Sequence, residues 1–179
     1  MTTATSLYGQ SLYDLAAEEG LTEEILKQME AVDDIFKANP DYITLLLEPS
    51  IPRRERLGMV EEAFKGQIHP YLLNFLMILL ENSLLRGFNS CCRSYRSSYY
   101  RDNGIDEAVV TSAVELTDEQ AQSLKAKLEK ISGKSIILKQ KVDSGVLGGL
   151  KVEIGGKLLD GTVMGRLADL RKKVSETVL

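Results

Sequence analysis

The segment YLLNFLMILL, Tyr71 to Leu80, constrains this chain more than any other. Asn74 is its one polar residue. A helix that is apolar almost all round belongs inside a bundle, because no face of it is suited to water. Ten residues fall well short of the roughly 18 that would suggest a membrane span. The surrounding chain must therefore supply helices to cover it.

The first hundred residues have the period to do so. Thr5 is placed to cap a first helix that ends near Gly20, with Tyr8, Leu12, Leu15 and Ala16 on one face. Thr22 is placed to cap a second, whose apolar stripe is Ile25, Met29, Val32, Ile35 and Phe36, and Asn39-Pro40 stops it. A short helix, DYITLLLE, ends at Pro49. Pro52 opens another to about Phe64, with Leu57, Val60 and Phe64 inward. The spacing predicts a fifth helix from about His69 to Arg86 and a sixth from Phe88 to about Asn103, closed by Gly104.

After Gly104 the period changes. AVVTSAV is rich in β-branched residues and reads as a strand. TDEQAQSLKAKLEKIS opens on a capping box, Thr117 with Gln120, and carries Leu124, Leu128 and Ile131 as its stripe. SIILKQKV and GLKVEI read as strands, and KLL follows Gly155-Gly156 as the far arm of a two-residue hairpin. A last helix from Asp160–Thr162 places Val163, Leu167, Leu170 and Val174 on one face. The expected architecture is mainly α: a six-helix bundle over residues 1–105, then a small β-α-β-β-α domain over residues 106–179, joined by a short linker.

The glycine-rich run VDSGVLGGLKVEIGGKLLDGTV raises the question of a phosphate loop. Such a loop needs GxxxxGK[ST], or GxGxxG between a strand and a helix. Neither pattern occurs, and Gly156-Lys157 is followed by Leu158. Turn chemistry accounts for the glycines instead. The Asp143 carboxylate can bond the backbone two residues on, with Gly145 taking a positive φ. Gly148-Gly149 fits a bulge or a close backbone approach at a strand start. Asp160-Gly161 is a further turn.

Other chemistry is sparse. The net charge is -4, with the first 104 residues acidic and the remainder slightly basic, so no overall field recruits nucleic acid. CCRSYRSSYYR interleaves Arg93, Arg96 and Arg101 with tyrosines. Leu84, Phe88, a cysteine, Tyr95 and Tyr99 nevertheless follow helical spacing, which leaves the arginines on the wet face. Cys91 and Cys92 are adjacent, so at most one is expected to face the core squarely. With the single His69 they do not make up a zinc site. His69 itself is read as an exposed or capping residue. No catalytic residue, cofactor or metal is expected.

The residues do resemble a family. The run from Val142 to Val174 is similar to the C-terminal signature of the delta subunit of F-type ATP synthases, relatives of the mitochondrial oligomycin-sensitivity-conferring protein. Asp143, Gly148, Gly149, Asp160, Gly161, Thr162, Arg166 and Leu167 fit that signature in order and spacing. VVTSAVELTDEQ, LLENSLLRGF and LYGQSLYDLA resemble upstream parts of the same family. Gly9 and Ser11 stand where alanines are usual, and Ser83-Leu84-Leu85 stands where Gly-Arg-Leu is usual.

The resemblance implies a non-catalytic, bacterial-type stator subunit, one copy per complex, without a membrane span of its own, peripheral at the cytoplasmic face of the plasma membrane. It implies that the front domain binds the amphipathic N-terminal helix of an alpha subunit in a groove between the first and fifth helices. Tyr8, Ser11, Leu12, Asn74, Phe75 and Ile78 are the candidate groove residues, and small side chains at Gly9 and Ser11 would let a partner helix come close. The rear domain is expected to bind the C-terminal ends of the stalk b subunits. A helical adaptor for another partner and a nucleotide-binding enzyme are the alternatives.

Overall fold

The structure, a computed structural model, describes residues 4–146 and 148–162. It is mainly helical with one small four-stranded sheet. The chain divides into two compact units, Met1–Tyr100 and Arg101–Leu179.

The first unit contains α1 (Ala4–Glu18), α2 (Thr22–Ala38), α3 (Pro40–Leu46), α4 (Arg53–Phe64), α5 (Pro70–Glu81), a 3₁₀ turn (Leu85–Gly87) and α6 (Phe88–Asp102). Leu72, Phe75, Leu76, Leu79 and Leu80 of α5 are buried at the spacing of one broad helical face. They pack into a single core with Leu12 and Tyr13 of α1, Ile25, Met29 and Val32 of α2, and Phe88 and Tyr95 of α6. Phe36 is an aromatic hub, meeting Phe64 and Phe88 edge-on with ring centres 6.0 and 5.4 Å away. Tyr95 is fully buried, and its hydroxyl donates to the Thr22 carbonyl at 3.0 Å, so its polar end is satisfied.

Polar ties hold α2 to its neighbours. Asp33 is buried, ion-paired with Lys37 at 2.7 Å and bonded by the Asn89 amide of α6 at 3.0 Å. The Gln28 carbonyl accepts the His69 backbone N–H at 2.7 Å. His69 then caps α5, its Nδ1 accepting the Tyr71 N–H at 3.2 Å.

α1 lies against α6 at backbone contact. A Cβ on Gly9 would collide with the Cys91 carbonyl oxygen and sit 2.8 Å from the Cys91 Cα. The Cys91 thiol donates to the Thr5 carbonyl at 3.0 Å, and the Ser94 hydroxyl to the Ser6 carbonyl at 2.8 Å. On its other side, the Cys92 thiol points to the Met29 carbonyl of α2 at 3.8 Å.

Several expectations are corrected here. Both cysteines are buried, because α6 is covered by α1 on one side and α2 on the other. Gly9 serves contact within the chain and is not available to a partner helix. Thr5 lies inside α1, and α2 begins at Thr22 with Leu21 at the cap position and no side-chain cap. Leu15 and Ile35 are 40% and 45% exposed, outside the core to which their spacing assigned them. α5 stops at Glu81, five residues before the expected Arg86, where Asn82 takes the C-cap and Ser83 adopts φ 57°. α5 is also not covered all round, since Asn74 is exposed and Met77 and Ile78 are half-buried.

The second unit contains β1 (Ile105–Ser112), α7 (Asp118–Ser132), β2 (Ser135–Val142), β3 (Leu150–Ile154) and β4 (Lys157–Asp160). The strand order is β2-β1-β3-β4. β1 and β2 run parallel with Ile105 opposite Ser135, which obliges the chain to cross over through α7. β1–β3 and β3–β4 are antiparallel. Ala108, Val110, Ile136 and Val152 share one sheet face and meet Leu128 of α7 in a small core. The capping box at α7 is complete, with Thr117 Oγ1 accepting the Gln120 N–H and Gln120 Oε1 accepting the Thr117 N–H.

Gly155 and Gly156 both have positive φ, 54° and 75°, as a tight hairpin requires. KLL plus Asp160 is therefore a full strand, one more than the β-α-β-β-α formula counts. Ile131 is 79% exposed, since α7 runs past the sheet core at its C-terminal end. The expected last helix, with Val163, Arg166, Leu167, Leu170 and Val174, lies outside the described residues.

Two substitutions test this account. Gly9→Ala is expected to destabilise by about 1–3 kcal/mol through overpacking against α6, although alanine is the better helix former. Ser83→Gly is expected to stabilise by about 1 kcal/mol, because glycine adopts the left-handed backbone without steric cost. Urea unfolding midpoints of both variants check the signs.

Candidate partner-binding surfaces

The six candidate groove residues do not share one environment. On α1, Tyr8 is half-buried against the core, Ser11 is exposed and Leu12 is buried. On α5, Asn74 is exposed, Phe75 is buried and Ile78 is half-buried. Leu12 and Phe75 are members of the bundle core. Ser11, Asn74 and Ile78, with the edge of Tyr8, are what the two helices offer to solvent.

The structure adds residues that spacing alone missed. Leu7 is 59% exposed, and it lies with Ser11 and Leu15 at i, i+4 and i+8 on one outer stripe of α1. The Ser11 hydroxyl donates to the Leu7 carbonyl at 3.1 Å, which turns its polarity back onto the helix. That stripe sets Leu7 and Leu15 beside the exposed carboxylates of Asp14 and Glu18. From residue 4 to residue 26 every charge is negative: Asp14, Glu18, Glu19, Glu23 and Glu24. α1 thus leaves two leucines on its outer side, while Leu12, Tyr13 and Ala16 are buried and Gly9 meets α6 on the other. A second leucine series offset from Tyr13 and Ala16 was the available signal.

In the second unit, the signature residues are backbone devices. Asp143 accepts the Gly145 N–H at 2.9 Å, and Gly145, contrary to expectation, is not among the positive-φ glycines. The carboxylate and a backbone bond from the Val146 N–H to the Asp143 carbonyl at 3.1 Å bend the chain there. Asp160 accepts both the N–H and the hydroxyl of Thr162, at 2.9 and 2.6 Å, and these bonds hold its carboxyl below the usual range. Gly149 has φ 90°, and a Cβ on it would lie 2.5 Å from the Gly161 oxygen and 2.8 Å from the Thr162 Cα. Gly148 precedes it at φ 72°. The close approach at Gly149 locks the β3 start to the chain after β4. None of these side chains is arranged around an anion. A cleft of about 520 Å³ does open beside α7, lined by Leu116, Leu124, Lys127 and Leu150 among others.

The reactive side chains are spent on structure. Burial pushes the Cys91 thiol up to about 11. Cys92 is raised further, first by burial and then by the Asp33 carboxylate. Thiols so shifted are protonated at neutral pH and poor nucleophiles. Arg96 pairs with Glu30 at 3.0 Å and Arg101 with Asp102 at 2.9 Å, while Tyr95 has no free face. Among the described residues no group of three or more His, Cys, Asp or Glu is placed to hold a metal, and no helix is long and apolar enough to cross a membrane.

A helical unit that leaves Leu7 and Leu15 uncovered is thus followed by a small mixed sheet pinned by Asp and Gly turns. The comparisons give the family. A model described as the ATP synthase delta (OSCP) subunit matches residues 4–174, and this chain belongs to that family. ATP synthase subunit delta of Clostridium perfringens is 32% identical over 165 residues, covering 92% of each chain. The Clostridioides difficile protein of that name is 28% identical over 172 residues, 96% of this chain and 95% of its own. That of Alkalihalophilus pseudofirmus is 29% identical over 168 residues, 93% and 92%. A chain in the cryo-EM structure of the Toxoplasma gondii mitochondrial ATP synthase hexamer has the same fold, with a TM-score of 0.75 at 16% identity over 96% of this chain and 97% of that one.

Neither cysteine should react with a thiol reagent in the native protein. At pH 7.5 a disulfide-exchange dye is expected to leave both unmodified until denaturant is added, when two thiols per chain react. Rapid labelling of the folded chain would contradict the burial described.

Proposed function

We propose that this chain ties the catalytic head of an F-type ATP synthase to its peripheral stalk, so that the head does not turn with the rotor and proton-driven rotation is coupled to ATP synthesis. Membership of the delta (OSCP) family supports this reading. The observation that carries it is the outer stripe of α1, where Leu7 and Leu15 are left exposed on either side of Ser11, on a helix whose opposite face is locked to α6.

Residues 1–105, acting as a six-helix bundle, hold the head. The amphipathic N-terminal helix of an alpha subunit lies between α1 and α5, against Tyr8, Ser11, Asn74 and Ile78, with Leu12 and Phe75 as the floor beneath them. Helix-in-groove docking uses anchors at i, i+3, i+4 and i+7, and the leucines of α1 supply the matching ridge. The acidic run from Asp14 to Glu24 favours a partner with basic residues at that end. Residues 106–179 hold the C-terminal ends of the b subunits through the β-α-β-β-α module. One copy serves each complex, at the cytoplasmic face of a bacterial plasma membrane, without a span of its own.

Holding a stator demands slow release more than fast capture. Nanomolar affinity corresponds to about -12 kcal/mol, and most such tuning lies in the off-rate. Ser11→Trp is expected to weaken binding of an alpha N-terminal peptide at least tenfold while leaving the melting temperature unchanged, because Ser11 is exposed. Leu7→Asp should do the same. Calorimetry that finds wild-type affinity in both folded variants would refute the α1 surface.

A further inference from the structure

Only Asn103 and Gly104 lie between the last residue of α6, Asp102, and the first residue of β1, Ile105. Asn103 is exposed in a turn, and Gly104 follows it at φ 61°. Side-chain amides are lost most readily from asparagine before glycine, because a successor with no Cβ lets its backbone nitrogen reach the asparagine Cγ. The Gly104 N–H donates to the Arg101 carbonyl at 3.3 Å, just beyond the ordinary range for such a bond. The Gly104 carbonyl accepts the Ser135 N–H at 3.1 Å, where the pairing of Ile105 with Ser135 begins.

Asn103 is the one asparagine of the sequence that glycine follows. Asn82 and Asn89 are each followed by serine, whose side chain crowds the approach of the next nitrogen. Asn89 lies inside α6, where the helical ladder directs the backbone N–H groups along the axis, and its amide donates to Asp33 at 3.0 Å. Asn82 takes the C-cap of α5, and its amide donates to the Ile78 carbonyl at 2.8 Å. The local backbone thus separates three similar dipeptides and favours reaction at Asn103.

We propose that Asn103 is a site of spontaneous covalent modification. The Gly104 nitrogen gives its proton to a water-derived base and attacks the Asn103 Cγ. A new C–N bond forms, the bond to the side-chain nitrogen breaks, and that nitrogen leaves as ammonia after taking a proton from water. Water then opens the resulting succinimide at either carbonyl, to aspartate or to isoaspartate. Overall one water enters and one ammonia leaves, with no oxidation or reduction. In isoaspartate the main chain runs through the former side chain, so a connection of two residues gains a carbon. The added length shifts the Gly104 carbonyl off the Ser135 N–H and frays the start of the β1–β2 pairing. The new carboxylate also stands beside Asp102 at the negative end of α6.

The test ages the full, folded chain and reads it by mass spectrometry after trypsin. Cleavage after Arg101 and Lys125 releases residues 102–125, in which Asn103 is the one asparagine. That peptide is expected to gain one mass unit and to separate into two isomers, of which an isoaspartyl methyltransferase labels one. The gain should be faster at pH 8 than at pH 6, because ring closure uses the deprotonated amide. The peptides carrying Asn82 and Asn89 should keep their mass over the same period. In the aged chain the Ser135 amide should exchange its hydrogen faster. Asn103→Asp, which brings the charge without the extra carbon, should exchange there as wild type does. A 102–125 peptide that keeps its mass in the chain aged folded would overturn the site, whether or not the cut peptide ages. Equal gain at Asn82 or Asn89 would overturn the selectivity argued from the backbone. Aspartate formed without isoaspartate would exclude the succinimide route. Unaltered exchange at Ser135 in chains that carry isoaspartate would overturn the consequence drawn for β1 and β2.

Discussion

The contact between Gly9 and the Cys91 backbone determines more of this molecule than any other. Helices normally pack about 8–10 Å apart, with side chains between them. Here a missing Cβ lets α1 settle directly on α6. That choice turns Leu12, Tyr13 and Ala16 inward and leaves Leu7, Ser11 and Leu15 facing out. The same contact buries Cys91, while Cys92 is buried against α2, so one dipeptide seals both sides of α6. Which residues α1 leaves exposed therefore follows from a packing event on the far side of the helix.

Much of this was legible from the order of residues. The apolar run at Tyr71–Leu80 specified a core helix, and the Thr117–Gln120 box and the Gly155-Gly156 hairpin read correctly because each is a local device with few alternatives. Periodicity was less reliable where a helix has more than one neighbour. It sent Leu15, Ile35 and Ile131 to the core, since spacing reports a face without saying how far the covering element extends. It predicted one buried cysteine for α6, since it assumed one covered side. The end of α5 was missed because nothing in Asn82-Ser83 announces a left-handed turn as glycine would. Gly9 was read as an invitation to a partner because a close approach has the same sequence signature whichever helix makes it.

Two glycines inside α-helices of the first unit show how one residue type carries opposite meanings. Gly9 is enclosed by another helix, whereas a Cβ on Gly58 would meet no other element within 4 Å among the described residues, although both interrupt otherwise regular segments. In the sheet unit the glycines act differently again, through backbone angles and the close approach at Gly149. A glycine-rich run that superficially suggests a phosphate cradle is there to make two strands meet and turn.

The parallel pairing of β1 with β2 has a consequence for biosynthesis. Antiparallel neighbours can zip from a tight turn, but Ile105 must wait for Ser135, with the whole of α7 between them. Contacts that are distant along the chain are slow to form, whereas helices joined by short turns are quick. As the polypeptide leaves the ribosome, the helical unit is complete while the sheet still lacks its strands. The nascent chain thus holds a finished helical half before its sheet half exists, which sets a natural order in which its two units become able to bind anything.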